Sequence, residues 1–145
     1  MDKKTVFITG SSKGLGRELA LVFSSKGYNI IINGRDEGSL KKTEKDILKQ
    51  GVDCYSIIGD LRDEKTIDRL YDYAKDNDIS VLINNAGVYP YLSPFNEIPI
   101  KNLEEVLDTN LIAPIRLTKR IYPLFLEKGS GCIININSIL GLEPK

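Results

Sequence analysis

The sequence has no histidine and no tryptophan, and only two cysteines in 145 residues. Without histidine, every Ser–His or Cys–His nucleophile scheme is excluded. Cys54 and Cys132 lie far apart, so they build no disulfide framework and, with no histidine to join them, no zinc site. Both fall inside apolar β-type runs and read as small buried hydrophobes of a reducing compartment. Net charge is also lacking: 20 Lys and Arg balance 20 Asp and Glu. No bulk field draws the chain to nucleic acid or an anionic membrane, and Lys41-Lys42 reads as a solvated helix face. No apolar run approaches the roughly 18 residues of a membrane span. Met1-Asp-Lys-Lys4 leads into an apolar run with no signal segment, so the expectation is a cytoplasmic protein. The length suits one domain, 1–145, burying roughly 70% of its unfolded surface.

What is present is organised around Thr5-Val-Phe-Ile-Thr-Gly-Ser-Ser-Lys-Gly-Leu-Gly16. An apolar β-type run, Thr5 to Thr9, enters a turn with glycines at 10, 14 and 16. A helix follows, with Leu15, Leu19, Val22 and Phe23 expected on its apolar face. Strand, glycine turn and helix in this order suit a pyrophosphate, because a helix N-terminus offers unpaired N–H groups and a partial positive charge. Gly10 permits a sharp turn, Gly14 lets a phosphate approach the backbone, and Gly16 lets the helix pack close to the sheet. The spacing is G-x-x-x-G-x-G, and an ordinary βα turn that binds nothing has the same local pattern.

Further along, Gly27 stops the first helix and a second β run covers Tyr28 to Asn33. Asp36 or Ser39 caps a polar helix that runs to Gln50 and stops at Gly51. A third strand, Asp53 to Ile58, ends at Gly59-Asp60. Asp63 caps a helix with Ile67, Leu70, Tyr71 and Ala74 on one face. A fourth strand, Ile79 to Ile83, ends in Asn84-Asn-Ala-Gly87. Prolines 90, 94 and 99 interrupt an irregular stretch, Val88 to Lys101, that carries Tyr89, Tyr91, Leu92 and Phe95. A helix then runs from Leu103 past Pro114 to Gly129, and a fifth strand covers Cys132 to Asn137. Pro114 has no N–H for the Asn110 carbonyl, so a kink is expected there. Alternating strands and helices imply an α/β fold: a doubly wound parallel sheet of order 3-2-1-4-5 in three layers, α/β/α. Its ligand crevice falls at the carboxyl ends of strands 1 and 4.

Here the sequence resembles the short-chain dehydrogenase/reductase family. Thr9-Gly-Ser-Ser-Lys-Gly-Leu-Gly16 fits its T-G-x-x-x-G-x-G motif and Asn84-Asn-Ala-Gly87 its N-N-A-G motif. Asn110 and Ser138 stand at family-like spacings. The resemblance is greatest to carbonyl reductases related to 3-oxoacyl carrier-protein reductases. It implies a Rossmann-type fold and hydride transfer between a nicotinamide and a small carbonyl or alcohol substrate.

Gly10, Ser12, Lys13, Gly14, Leu15 and Gly16 would then bind the pyrophosphate end of the cofactor. Asp60 would accept from the adenine amino group and the Leu61 N–H would donate to a ring nitrogen. Asn85, Ala86 and Gly87 would floor the ribose. Ser138 would hydrogen-bond the substrate oxygen and stabilise its developing charge. The Asn110 carbonyl would hold a water linked to a catalytic lysine. Taken singly, Asp60 also reads as a turn or cap carboxylate, Ser138 as a strand-end serine, and the Asn110–Pro114 pair as a plain kink.

Cofactor choice turns on strand 2. Arg35 at its end, with Lys13 in the glycine turn, brackets a 2′-phosphate and favours NADP(H). If Asp36 points at the ribose instead, NAD(H) is preferred.

The resemblance also implies a Y-x-x-x-K pair about a dozen residues beyond Ser138, past Lys145. The expectation is therefore a truncated family sequence with little activity of its own. Tyr71-Asp-Tyr-Ala-Lys75 matches Y-x-x-x-K by coincidence, on a helix whose apolar face includes Tyr71. Strand 5 would be an apolar edge. The helix through Ile121 and Phe125 would lack a packing neighbour; in the family it contributes to subunit interfaces, so a homo-oligomer is possible.

Overall fold

All four residues of β1 (Thr5–Ile8) are buried, as a central strand covered on both faces requires. The structure, a computed structural model, describes residues 4–89 and 93–138. The other elements follow as α1 (Gly14–Ser25), β2 (Asn29–Gly34), α2 (Glu37–Leu48), β3 (Cys54–Ile58), α3 (Glu64–Asp76) and β4 (Ile79–Asn84). Then come a 3₁₀ turn (Phe95–Glu97), α4 (Ile100–Leu107), a π turn (Asp108–Ile112), α5 (Ala113–Lys128) and β5 (Cys132–Asn135).

The strands form one sheet of order β3-β2-β1-β4-β5, and each neighbouring pair is parallel. This is the order expected from the alternation of elements. Successive side chains of a strand point to opposite faces, so the sheet feeds two cores. Phe7, Ile31 and Leu82 face α3 and α5, where Leu70, Leu117 and Ile121 complete one cluster. Val6, Ile8, Ile30, Ile32 and Ile83 face the other way, packing with Ala20, Leu40 and Ile47 of α1 and α2. Each fully buried Leu, Ile or Phe contributes roughly 1.5–3 kcal/mol.

The buried face of α1 differs from the expected one. Gly16, Ala20 and Ser24 face the sheet, whereas Leu15 and Val22 are 54% and 50% exposed. Small residues at i, i+4 and i+8 let the helix axis approach the strands, which larger side chains would prevent. Leu19, Leu21 and Phe23 pack only along the margins of that contact.

Cys132 is exposed on β5 and does not join the core, because it sits on the outermost strand. Cys54 is partly buried, and burial pushes its thiol up to about 12. Ile121 and Phe125 are fully or nearly buried against the sheet. The face of α5 left outward carries Ile115, Tyr122 and Leu126 instead. The β5 ladder stops at Asn135, with one further hydrogen bond from the Ile136 N–H to the Asn84 carbonyl at 3.0 Å.

The long helix expected after residue 103 is divided. The Ala113 N–H reaches back to the Asp108 carbonyl across the π turn, as a local widening beside Pro114 permits. In the stretch read as irregular, Pro94 precedes the 3₁₀ turn and Pro99 precedes α4, where a missing N–H costs nothing. Pro90, Tyr91 and Leu92 lie outside the described residues.

Candidate functional site

The carboxyl ends of β1 and β4 are locked together before any ligand is considered. The Thr9 hydroxyl accepts the backbone N–H groups of Asn85 and Ala86, both at 3.0 Å. The Asn85 side-chain amide donates to the carbonyls of Thr9 at 2.9 Å and Gly10 at 3.2 Å. Gly10 turns the chain with φ +67°, and a Cβ there would stand 2.7 Å from the Ala86 Cα. A Cβ at Gly16 would overlap the Gly10 carbonyl and the Asn85 amide. Gly16 thus serves the closeness of the two turns as well as helix packing. Gly14 has φ +57° and only open space around the position of its missing Cβ. Lys13, at the N-cap of α1, is extended and its side chain caps nothing, and the first turn holds no acidic residue. The positive end of α1 is therefore offset by neither a side-chain cap nor a carboxylate of its own first turn.

A cleft of about 430 Å³ opens over this turn. It brings together Gly10, Ser12, Lys13, Gly14, Leu15, Gly16, Arg35, Asp60, Leu61, Asn85, Ala86 and Gly87, all the residues expected at the cofactor. Asn33, Asp36 and Thr109 also line it. Two of its hydroxyls, Ser12 Oγ and Thr109 Oγ1, are buried without a hydrogen-bond partner among the described residues.

Under one side of the cleft, the buried Asn33 amide donates to the carbonyls of Ile57 at 3.0 Å and Gly59 at 3.1 Å. This brace fixes the ends of β2 and β3 side by side. The Ser11 N–H joins it by donating to the Asn33 carbonyl at 2.9 Å.

Asp36 caps α2, accepting the Ser39 N–H at 2.7 Å. Hydrogen bonds from Ser39, with help from Lys13, hold its carboxyl below the usual range. Asp60 is engaged as a turn carboxylate, the second of the two readings its sequence position allows. The Arg62 guanidinium grips its carboxylate, with Nη2 at 2.7 Å, and the Arg62 N–H adds a bond of 2.9 Å. Arg62, and more weakly Arg35, holds the Asp60 carboxyl below the usual range. Arg35 Nη1 stands 3.7 Å from Asp60 and 3.6 Å from Glu105 of α4.

A second cavity, about 960 Å³, adjoins the first along Asn85–Val88. Asn110 and Ser138 both line it. The Asn110 side chain pairs with the backbone of Val88 in both directions: it accepts the N–H at 2.8 Å and donates to the carbonyl at 2.9 Å. It thereby anchors the chain just after the N-N-A-G turn. Asn84 donates to Thr118 at 3.0 Å and to Asn135 at 2.8 Å, and its own side-chain oxygen is buried without a partner. Tyr71 and Lys75 line neither cavity. Tyr71 lies under the Arg120 guanidinium, 4.5 Å from the ring centroid.

Sequence reading missed Thr9, Asn33, Arg62 and Glu105 as parts of the site. Thr9 stands inside the glycine-turn motif and Asn33 at the end of the second β run, and the signal for a bracing role is a polar residue at a buried strand end. Arg62 was signalled only by its place two residues after Asp60. Among the described residues, no group of His, Cys, Asp or Glu is arranged to hold a metal, and no helix is long and apolar enough to cross a membrane.

Comparison with known proteins matches the short chain dehydrogenase family over residues 4–145. Sulfoacetaldehyde reductase 2 of Chromohalobacter salexigens is 30% identical over 142 residues, covering 96% of this chain and 56% of that protein. Ketoacyl reductase HetN of Nostoc sp. is 32% identical over 140 residues, covering 95% of this chain and 48% of that protein. A short-chain dehydrogenase from Sphingobium yanoikuyae, solved in complex with NADPH, superposes with a TM-score of 0.90 at 28% identity, covering 98% of this chain and 56% of that one. The chain thus spans about half the length of the curated relatives it matches.

Proposed function

The chain belongs to the short-chain dehydrogenase family, and from that premise we propose an NADP(H)-dependent oxidoreductase acting on a ketone or secondary alcohol. Residues 1–145 are read as its Rossmann-type cofactor-binding domain. The observation that carries the cofactor choice is the fate of Asp36. Its carboxylate caps α2 through Ser39, so it is committed to its own helix and not to a ribose. Arg35 and Lys13 are the cations that line that end of the cleft, as a 2′-phosphate requires.

The residues fit such a cofactor. The uncapped N-terminus of α1, the open space at Gly14 and the partnerless Ser12 hydroxyl suit a pyrophosphate. Leu61 offers its backbone N–H to adenine, and Asn85, Ala86 and Gly87 form a floor that the Thr9 bonds keep flat against β1. When bound, the nicotinamide supplies the hydride. The Ser138 hydroxyl donates to the substrate oxygen and holds the charge that grows there. Asn110 fixes Val88 and so the wall between the cavities. By family resemblance the proton donor is a Tyr–Lys pair beyond Ser138, and lack of a positioned acid lowers a rate by about 10²–10⁴. The 145-residue chain alone is proposed to bind cofactor without appreciable turnover. A cytoplasmic location belongs to the same reading, as does homo-oligomer formation through the outward Ile115, Tyr122 and Leu126.

The test is a paired titration of the chain with NADPH and NADH, following nicotinamide fluorescence and the thermal midpoint. The absence of tryptophan keeps that fluorescence clean. Tighter binding of NADPH with a raised midpoint is expected. Equal or tighter binding of NADH would overturn the choice, and turnover of ketones that disappears in Ser138→Ala would show the chain to be active by itself.

A further inference from the structure

A closed ring of alternating charge borders the cleft's adenosine end, reaching its lining at Arg35 and Asp60. Arg35 touches Asp60 and Glu105 at 3.7 and 3.6 Å, and Arg62 touches the same two carboxylates at 2.7 and 3.5 Å. Arg35, Asp60 and Arg62 come from the ends of β2 and β3, whereas Glu105 reaches in from α4. Building on the NADP(H) reading above, we propose that Glu105 is a specificity-determining residue: it is the resident counter-ion of Arg35 and competes with the 2′-phosphate for it.

The ring's members are not equally fixed. Asp60 is held by two nitrogens of the Arg62 guanidinium and by the Arg62 N–H. Glu105 makes only the two longer contacts, beyond ordinary hydrogen-bond length, and its side chain is 42% exposed. Arg35 likewise has only contacts of that longer kind to these acids and is 55% exposed. The exchangeable partnership is therefore Arg35–Glu105. A phosphate monoester brings close to two negative charges and several acceptor oxygens, and as Arg35 turns toward them the Glu105 carboxylate loses its partner. The displaced carboxylate then stays near the phosphate and repels it. A cofactor with a free 2′-hydroxyl brings no such charge, so the ring stays closed beneath it. Glu105 thus weakens the phosphorylated dinucleotide selectively and narrows a preference that Arg35 and Lys13 establish.

The experiment titrates the chain, Glu105→Gln and Glu105→Lys with NADPH and NADH at low salt. Glu105→Gln should tighten NADPH by up to about fivefold, the upper end of what one exposed ion pair supplies, and leave NADH unchanged. Glu105→Lys should shift the ratio further in the same direction, and it supplies the comparison if the Gln variant melts early. Adding Arg35→Gln should shrink the effect of Glu105→Gln to the direct repulsion alone, a non-additivity that a merely structural role would not produce. An unchanged NADPH-to-NADH ratio in Glu105→Gln, with the parent binding NADPH tightly, overturns this inference and spares the cofactor reading. A parent that binds neither cofactor, or prefers NADH, overturns both.

Discussion

Thr9 and Asn85 are joined twice: the Asn85 N–H donates to the Thr9 hydroxyl at 3.0 Å, and the Asn85 amide donates to the Thr9 carbonyl at 2.9 Å. The hydroxyl also takes the Ala86 N–H. Thr9→Val keeps the shape and removes the acceptor of two backbone donors. A buried donor left unpaired costs about 1–3 kcal/mol. Denaturant unfolding should show a loss of that size in Thr9→Val and little loss in Thr9→Ser. Equal stability of Thr9→Val and the parent would sink the idea that this latch sets the spacing of the two turns.

Gly10 and Gly14 separate backbone strain from space. Both have positive φ, yet a Cβ meets backbone at Gly10 and nothing at Gly14. Gly10→Ala should push Ala86 away and lower stability by more than the roughly 1 kcal/mol that an Ala at positive φ costs alone. Gly14→Ala should lose only about that much and show its main effect as weaker NADPH binding. A thermal melt beside a cofactor titration reads both; the reverse pattern would contradict the steric account.

The two sides of α5 should respond differently to truncation. Ile121 is fully buried against the sheet, whereas Leu126 is 61% exposed. Ile121→Ala should cost about 2–5 kcal/mol, and Leu126→Ala should stay within about 0.5 kcal/mol in the monomer. Sedimentation of Leu126→Ala beside the parent would report any assembly through that face, separately from stability.

Stability should be insensitive to pH through neutrality and fall in acid. Arg62 holds Asp60 low, hydrogen bonds from Ser39 hold Asp36 low, and Lys49 with Arg17 holds Asp46 low. A carboxyl depressed in the folded state adds stability above its unfolded pKa and loses it as pH falls through the folded value. The thermal midpoint should therefore decline below about pH 4. No histidine is present to titrate between about pH 5 and 8. A step near neutrality would need another cause.

Much of this was legible in the sequence, because strands alternating with helices permit few topologies. The glycine turn and the Asn84–Gly87 turn declared themselves by local chemistry, and the lining residues of the first cleft follow from strand ends. The face of α1 was misread because apolar periodicity marks large side chains, and the closest contact there is made by Gly16, Ala20 and Ser24. Cys132 was misplaced because an edge strand has the same composition as an inner one. Glu105 was invisible: its partners are distant in sequence, and an acidic residue on a short helix reads as solvated surface.

The strand order has a consequence for how the sheet is made. Among the five described strands β1 is central and earliest in the sequence, and each later one joins an edge that already exists and is still open. β2 and β3 extend the sheet to one side, then β4 and β5 extend it to the other. No established pair has to separate to admit a newcomer. As the polypeptide emerges from the ribosome, assembly can proceed in the order of translation. By the time Asn84 has emerged, the four strands whose ends border the first cleft have been delivered, and β5 then adds to the border of the second.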